Sequence, residues 1–203
     1  MTSLKSLGLT TAAFALSATA VLASPPVNQT APGFSSVDTT GIERILTDFA
    51  DETVILEWTN HDCPYVRKHY VSGNMQGLQA EAAEDGVVWL QIISSAPGKQ
   101  GHVSAEQAIE LNEERGATVT ATLLDETGEI GRLYDARTTP HMYVIENGTL
   151  VYKGGIDDKP SANPKSLNGA NNYVRAALTS ISAGQPIEDA ETRSYGCTVK
   201  YGS

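Results

Sequence analysis

The sequence predicts an α/β domain with a mixed central sheet and helices on both of its faces. Three observations carry that reading. Residues 53–59 (TVILEWT) and 87–93 (VVWLQII) are nearly continuous in apolar, β-branched and aromatic character, the mark of strands buried on both faces. Helical patterns separate such runs along the chain. Late in the chain, Asn147 and Gly148 stand between two alternating apolar runs, a strong hairpin signal. Strands separated by helices pair in parallel, and the hairpin adds an antiparallel edge.

The elements follow in order. Residues 1–23 carry one early positive charge, Lys5, then an Ala-rich apolar run ending in Val21, Leu22 and Ala23, which reads as a secretory signal cut after Ala23. The run is shorter than the roughly 20 apolar residues a spanning helix needs, and Ser24 stands where a lipoprotein would carry cysteine. The expected product is periplasmic or secreted, without a stable membrane anchor. Residues 24–41, rich in Pro, Thr, Ser and Gly, read as an extended entry segment. The domain proper is expected over 42–184, followed by a tail, 185–203, that carries Cys197.

After the first strand come Asn60, His61, Asp62, Cys63 and Pro64. Proline suits the first helical position because its missing N–H would be unpaired there, so Cys63 is the expected cap. The helix through Tyr65 and Tyr70 breaks near Ser72 and Gly73, resumes over 74–84, and is closed by Gly86. Beyond the second strand, Ser104 and Gln107 form a capping box for a helix that Gly116 stops. A third strand is expected over 118–124, a short helix over 130–134, and a last helix over 171–183, with Val174, Ala177, Leu178 and Ile181 at helical spacing. The tail shows little periodic pattern.

The chain has 203 residues, with 14 basic and 24 acidic side chains giving −10, so nucleic acid and anionic membrane are poor partners. Two cysteines are too few for a disulfide scaffold and leave two readings, a structural bridge or a redox couple. Cys63, placed where a strand becomes a helix, would face unpaired N–H groups and the positive end of the helix dipole, which favours the reactive thiolate. Arg67, one turn on, would add to that, and Asp62 would oppose it. Val66 occupies the place where a second thiol would close a local disulfide, so the partner is Cys197, another molecule or a small thiol. Trp58 and Trp89 read as core. His61, His69, Asp157 and Asp158 read as solvated, and no cofactor or metal site is indicated.

These residues resemble the redoxin branch of the thioredoxin superfamily, the peroxiredoxin-like proteins related to alkyl hydroperoxide reductase and thiol-specific antioxidant. The resemblance is carried by Ala31, Pro32, Gly33 and Phe34 with Asp38 and Gly41; by Asp62, Cys63, Pro64 and Tyr65; by Leu124, Asp125 and Gly128; by Thr138, Thr139 and Pro140; and by the closing Gly196, Cys197, Thr198, Val199, Lys200 and Tyr201. It implies a thioredoxin-like fold, Cys63 as nucleophile supported by Pro64 and Arg67, and a cis Pro140, with the Thr139 backbone receiving substrate. Peroxiredoxins carry Pro and Thr or Ser where this chain has Leu56 and Asn60, so the resemblance favours thiol–disulfide exchange over peroxide reduction.

The leading expectation is therefore an exported thiol–disulfide oxidoreductase in which Cys63 attacks a protein or small-molecule disulfide and Cys197 resolves the mixed species. A peroxiredoxin-type peroxidase is the first alternative. A copper chaperone using Cys63, His61, His69, His141 and Met142 is a second, and an inert Cys63–Cys197 bridge a third. The enzymatic readings require a Cys63 sulfur that is both ionised and reachable.

Overall fold

The computed structural model describes residues 24–202; the expected signal segment, 1–23, lies outside the described residues. Fifteen strands and α-helices follow in the order β1 (Gln29–Thr30), β2 (Ser35–Val37), β3 (Glu43–Ile45), β4 (Thr53–Trp58), α1 (Pro64–Val71), α2 (Asn74–Glu84), β5 (Val88–Ile93), α3 (Ala105–Glu114), β6 (Ala121–Leu124), α4 (Glu129–Leu133), β7 (Thr138–Thr139), β8 (His141–Glu146), β9 (Thr149–Gly154), α5 (Tyr173–Ser182) and β10 (Cys197–Thr198). Among the described residues no helix is long and apolar enough to cross a membrane.

Six strands form the central sheet in the order β1-β9-β8-β4-β5-β6. β4, β5 and β6 run parallel, while β8 pairs antiparallel with β4 and β9 with β8, the mixed sheet expected. Because successive strand side chains point to opposite faces, β4 feeds two cores. Val54, Leu56 and Trp58 pack with Leu46, Ile130 and Tyr134 on one face. Ile55 packs on the other with Cys63, Val66, Met75, Leu78, Val174 and Ala177 from α1, α2 and α5. A strand buried on both sides has no reason to alternate in polarity, which is why its sequence reads as continuous.

Local signals act where they are written. Asn147 and Gly148 both take positive φ, 47° and 73°, turning β8 into β9. Ser104 accepts from the Gln107 N–H while the Gln107 side chain accepts from the Ser104 N–H, completing the capping box. β6 begins at Ala121 rather than 118, because the Thr118 N–H is taken by the Gln79 side chain at 3.0 Å. The tail, read as patternless, contributes a strand: β10 pairs antiparallel with β7, Cys197 opposite Thr139 and Thr198 opposite Thr138.

The turn between β2 and β3 is organised by Asp38. One carboxylate oxygen accepts from the Thr40 N–H at 2.8 Å, the Thr40 hydroxyl at 2.6 Å and the Ile42 N–H at 3.0 Å; the other accepts from Arg44 Nε at 2.8 Å. Burial alone would raise this carboxyl's pKa, but the bonds from Thr40, Arg44 and Ile42 hold it down at about 2. A carboxyl whose folded pKa lies below its unfolded value stabilises the fold above the unfolded value and loses that contribution as pH falls through the folded one. Urea unfolding of wild type and Asp38→Asn should therefore show the variant less stable at neutral pH. The gap should narrow as pH drops from about 4 towards about 2; a gap independent of pH would show that the charged carboxylate contributes nothing.

Candidate active site

The site begins where β4 runs out. The Asn60 side chain accepts from the Asp62 N–H at 2.9 Å and the Asn60 carbonyl from the Cys63 N–H at 3.0 Å, folding the chain back into α1. Cys63 is the N-cap, in extended conformation, with Pro64 in the first turn. Its carbonyl accepts from the Val66 and Arg67 N–H groups at 3.0 and 2.9 Å. The cap holds the sulfur at the positive end of an eight-residue helix, as the Cys-Pro pair predicts.

Two other segments meet the sulfur there. The Thr139–Pro140 peptide bond is cis, and the Cys63 thiol donates to the Thr139 carbonyl at 3.0 Å. β10 lies along the same short strand and brings Cys197 within hydrogen-bonding reach of Cys63. Both are free thiols, Cys63 buried and Cys197 partly exposed. Close approach is possible because position 196 is glycine: at φ 133° a Cβ there would lie 2.0 Å from the Thr139 carbonyl oxygen.

The electrostatics separate the two sulfurs. Burial pushes the Cys63 pKa up, but the neighbouring polar groups of Cys197, Thr139 and Val66 outweigh it and leave the pKa below that of an ordinary thiol. Cys197 is pushed up to about 12, by burial first, then by its hydrogen bond to Cys63 and the charge on that neighbour; Lys200 opposes this. The two sulfurs are thereby set apart in acidity, Cys63 being the more acidic.

The structure corrects several expectations. Cys63 is ionisable but not open at the mouth of the fold, because β10 covers it. Arg67 is exposed and lines a surface groove with His61, Tyr70 and Arg115; the groups that act on the acidity of the sulfur belong to Cys197, Thr139 and Val66 instead. His69 and Asp157, read as solvated, are buried together. The Asn74 side chain meets His69 Nδ1 at 2.8 Å, and Tyr195, which donates to Asp157, meets His69 Nε2 at 3.3 Å. Burial, then the Lys68 charge, lowers the His69 pKa to about 3, so the ring is neutral and its Nε2–H donates to the Tyr195 oxygen. Lys68 is buried 3.4 Å from Asp157 and donates to the Lys159 carbonyl at 2.7 Å. Among the described residues no group of three His, Cys, Asp or Glu is placed to hold a metal.

Sequence reasoning also missed Glu57, buried in β4. It accepts from Trp89 Nε1 at 2.9 Å, the Tyr70 hydroxyl at 3.1 Å and the Gln79 and Gln91 amides at 3.2 and 3.3 Å. A lone acid inside an apolar strand is the signal that marks such a buried network.

Comparison with known proteins agrees with this architecture. An uncharacterised conserved protein of Geobacillus kaustophilus superposes with a TM-score of 0.75 at 28% identity, covering 87% of this chain and 93% of that one. A hypothetical protein of Sinorhizobium meliloti 1021 gives 0.73 at 22% identity, covering 89% and 97%. A structure described as a candidate thiol:disulfide interchange protein DsbE from Chlorobium tepidum gives 0.52 at 21% identity, covering 64% and 85%. No curated protein matches. The fold is thioredoxin-like, and, with residues 27–153 matching the AhpC/TSA family, the chain belongs to that family.

Proposed function

We propose that this protein is an exported thiol–disulfide oxidoreductase in which Cys63 is the nucleophile and Cys197 the resolving thiol. The observation that carries the reading is the pair itself: a free thiol capping a helix beside a cis-proline loop, with a second free thiol brought to that loop by the pairing of β10 with β7. Export, to a periplasmic or secreted location, is supported by the apolar leader after Lys5.

The Cys63 thiolate attacks one sulfur of a substrate disulfide, forming a mixed disulfide and releasing the other half as a thiolate. Cys197 then attacks the Cys63 sulfur, releasing the remaining half and leaving a Cys63–Cys197 disulfide. Two electrons pass from the protein thiols to the substrate, and an external thiol reductant restores the pair. The pKa shifts order these steps. While Cys63 is anionic, its charge and hydrogen bond hold the proton on Cys197. Once the mixed disulfide has consumed that charge, burial alone still opposes ionisation and Lys200 favours it. Cys197 is thereby easier to ionise after the first attack than before it.

Peroxide reduction is the second reading, favoured by the family match. There Cys63 would take one peroxide oxygen as a sulfenic acid, releasing an alcohol or water, and Cys197 would condense with it to a disulfide and water. Stopped-flow peroxide consumption separates the two.

Two outcomes are expected. With hydroxyethyl disulfide as substrate and dithiothreitol as reductant, Cys63→Ser should lose turnover by about a thousandfold or more. Cys197→Ser should instead accumulate the Cys63 mixed disulfide, visible by mass spectrometry; turnover retained in Cys63→Ser would remove the reading. Thiolate absorbance at 240 nm should show Cys63 ionising below the ordinary thiol pKa of about 8.5. Cys197→Ala, which removes a donor to the thiolate, should move that ionisation upward; an unchanged midpoint would show that the contact does not stabilise the anion.

A further inference from the structure

The strand edge beside Cys63 is already occupied. An extended polypeptide docks most readily by adding a strand to an exposed edge, because main-chain hydrogen bonds supply affinity whatever its sequence. β7 is the edge that adjoins the Cys63 sulfur, and β10 of the same chain takes it, continuing into a bond from the Val199 N–H to the Arg137 carbonyl at 3.1 Å.

The covering segment is fastened on both sides of Cys197. Before it, Tyr195 is buried against Asp157, Lys68 and His69, its ring 5.0 Å from the Lys68 ammonium. After it, the Lys200 carbonyl accepts from the Ala96 N–H at 2.9 Å and the Tyr201 hydroxyl donates to the Ala136 carbonyl at 2.7 Å. The Arg132 guanidinium lies 4.7 Å over the Tyr201 ring and donates to the Gly202 carbonyl at 2.9 Å. None of these contacts uses the Cys197 side chain. The Cys197 side chain is therefore free to change rotamer while the strap stays seated, whereas a polypeptide would have to displace the strap itself. Beside the strap lies a cleft of about 540 Å3 bounded by Thr138, Asp158, Tyr173, Arg193, Tyr195 and Gly196; it runs past the residues next to Thr139 and Cys197, and neither cysteine lines it.

We propose that the C-terminal strand is a fixed occupant of the edge beside Cys63, so that this sulfur exchanges with low-molecular-weight disulfides and excludes polypeptide ones. The proposal rests on the thiol–disulfide reading above. In the accepted reaction the Cys63 thiolate bonds to one sulfur of the small disulfide and the other departs as a small thiolate; Cys197 then displaces the second half.

The test uses Cys197→Ser as parent, so that the first attack is read alone. Formation of the Cys63 mixed disulfide is followed by mass spectrometry with hydroxyethyl disulfide and with insulin, each rate divided by that of dithiothreitol on the same probe. The small disulfide should be favoured about a hundredfold. Tyr201→Ala, which unfastens the strap, should raise the insulin rate about tenfold and leave the small-disulfide rate within about threefold. A chain ending at Thr198, which keeps position 197 and lacks the fastenings of Val199, Lys200, Tyr201 and Gly202, should do the same. Comparable normalised rates in the strapped parent, or an insulin rate unmoved in both variants, would overturn the proposal while leaving the oxidoreductase reading intact. Failure of Cys63 to react with either probe would instead overturn that reading, and the proposal with it.

Discussion

A sulfur withdrawn from water at the end of a buried strand must find its hydrogen bonds inside the fold, and in this protein the C-terminal strand supplies them. Cys63 has the helix N–H of Val66 on one side and the Thr139 loop on another, and the remaining donors come from Cys197. Ionising a sulfur placed this way needs no neighbouring cation, because charge-assisted bonds from N–H and S–H groups are stronger in a dry site than in water. The rest of the site follows from keeping that strand in register: the cis peptide that presents Thr139, the glycine that permits contact, and the tyrosines that hold the segment at either side.

The buried Lys68–Asp157 pair belongs to the same constraint. Such pairs add little stability over an apolar replacement, but losing one partner leaves an uncompensated charge and costs about 3–5 kcal/mol. Their contribution is to geometry. Asp157 accepts from the Tyr195 hydroxyl, and Tyr195 stands two residues before Cys197, so a polar cluster beneath α1 fixes where the tail crosses the site. The helix that begins at Cys63 therefore also anchors the strand that pairs beside it.

What was legible in the sequence was what local chemistry decides. The continuous apolar runs of β4 and β5, the Asn147-Gly148 turn, the Ser104–Gln107 box and the Cys63-Pro64 helix start each state their conformation within a few residues, and the resemblance supplied the cis Pro140. What was illegible depends on partners far away in the chain. β10 is two residues long and carries no periodicity, so nothing local announces that it will cover Cys63. Asp157 and His69 read as solvated because charge and imidazole usually are; each is buried only because the other, with Lys68 and Tyr195, satisfies it. Arg67 sits one turn from the cysteine in sequence, but the structure places it on a surface groove.

The placement of the two thiols, one at the start of the first long helix and one almost at the end of the chain, couples redox state to the integrity of the whole domain. Oxidation would tie off every element from α1 to α5 in a single covalent ring, and closing a loop of that length restricts the unfolded ensemble by about 5 kcal/mol on the chain-entropy account. Linkage makes the effect mutual. Whatever reductant recharges the pair must work against the folded chain's preference for keeping its ends together, and any substitution that loosens the core, however distant from sulfur, would make the ring easier to open.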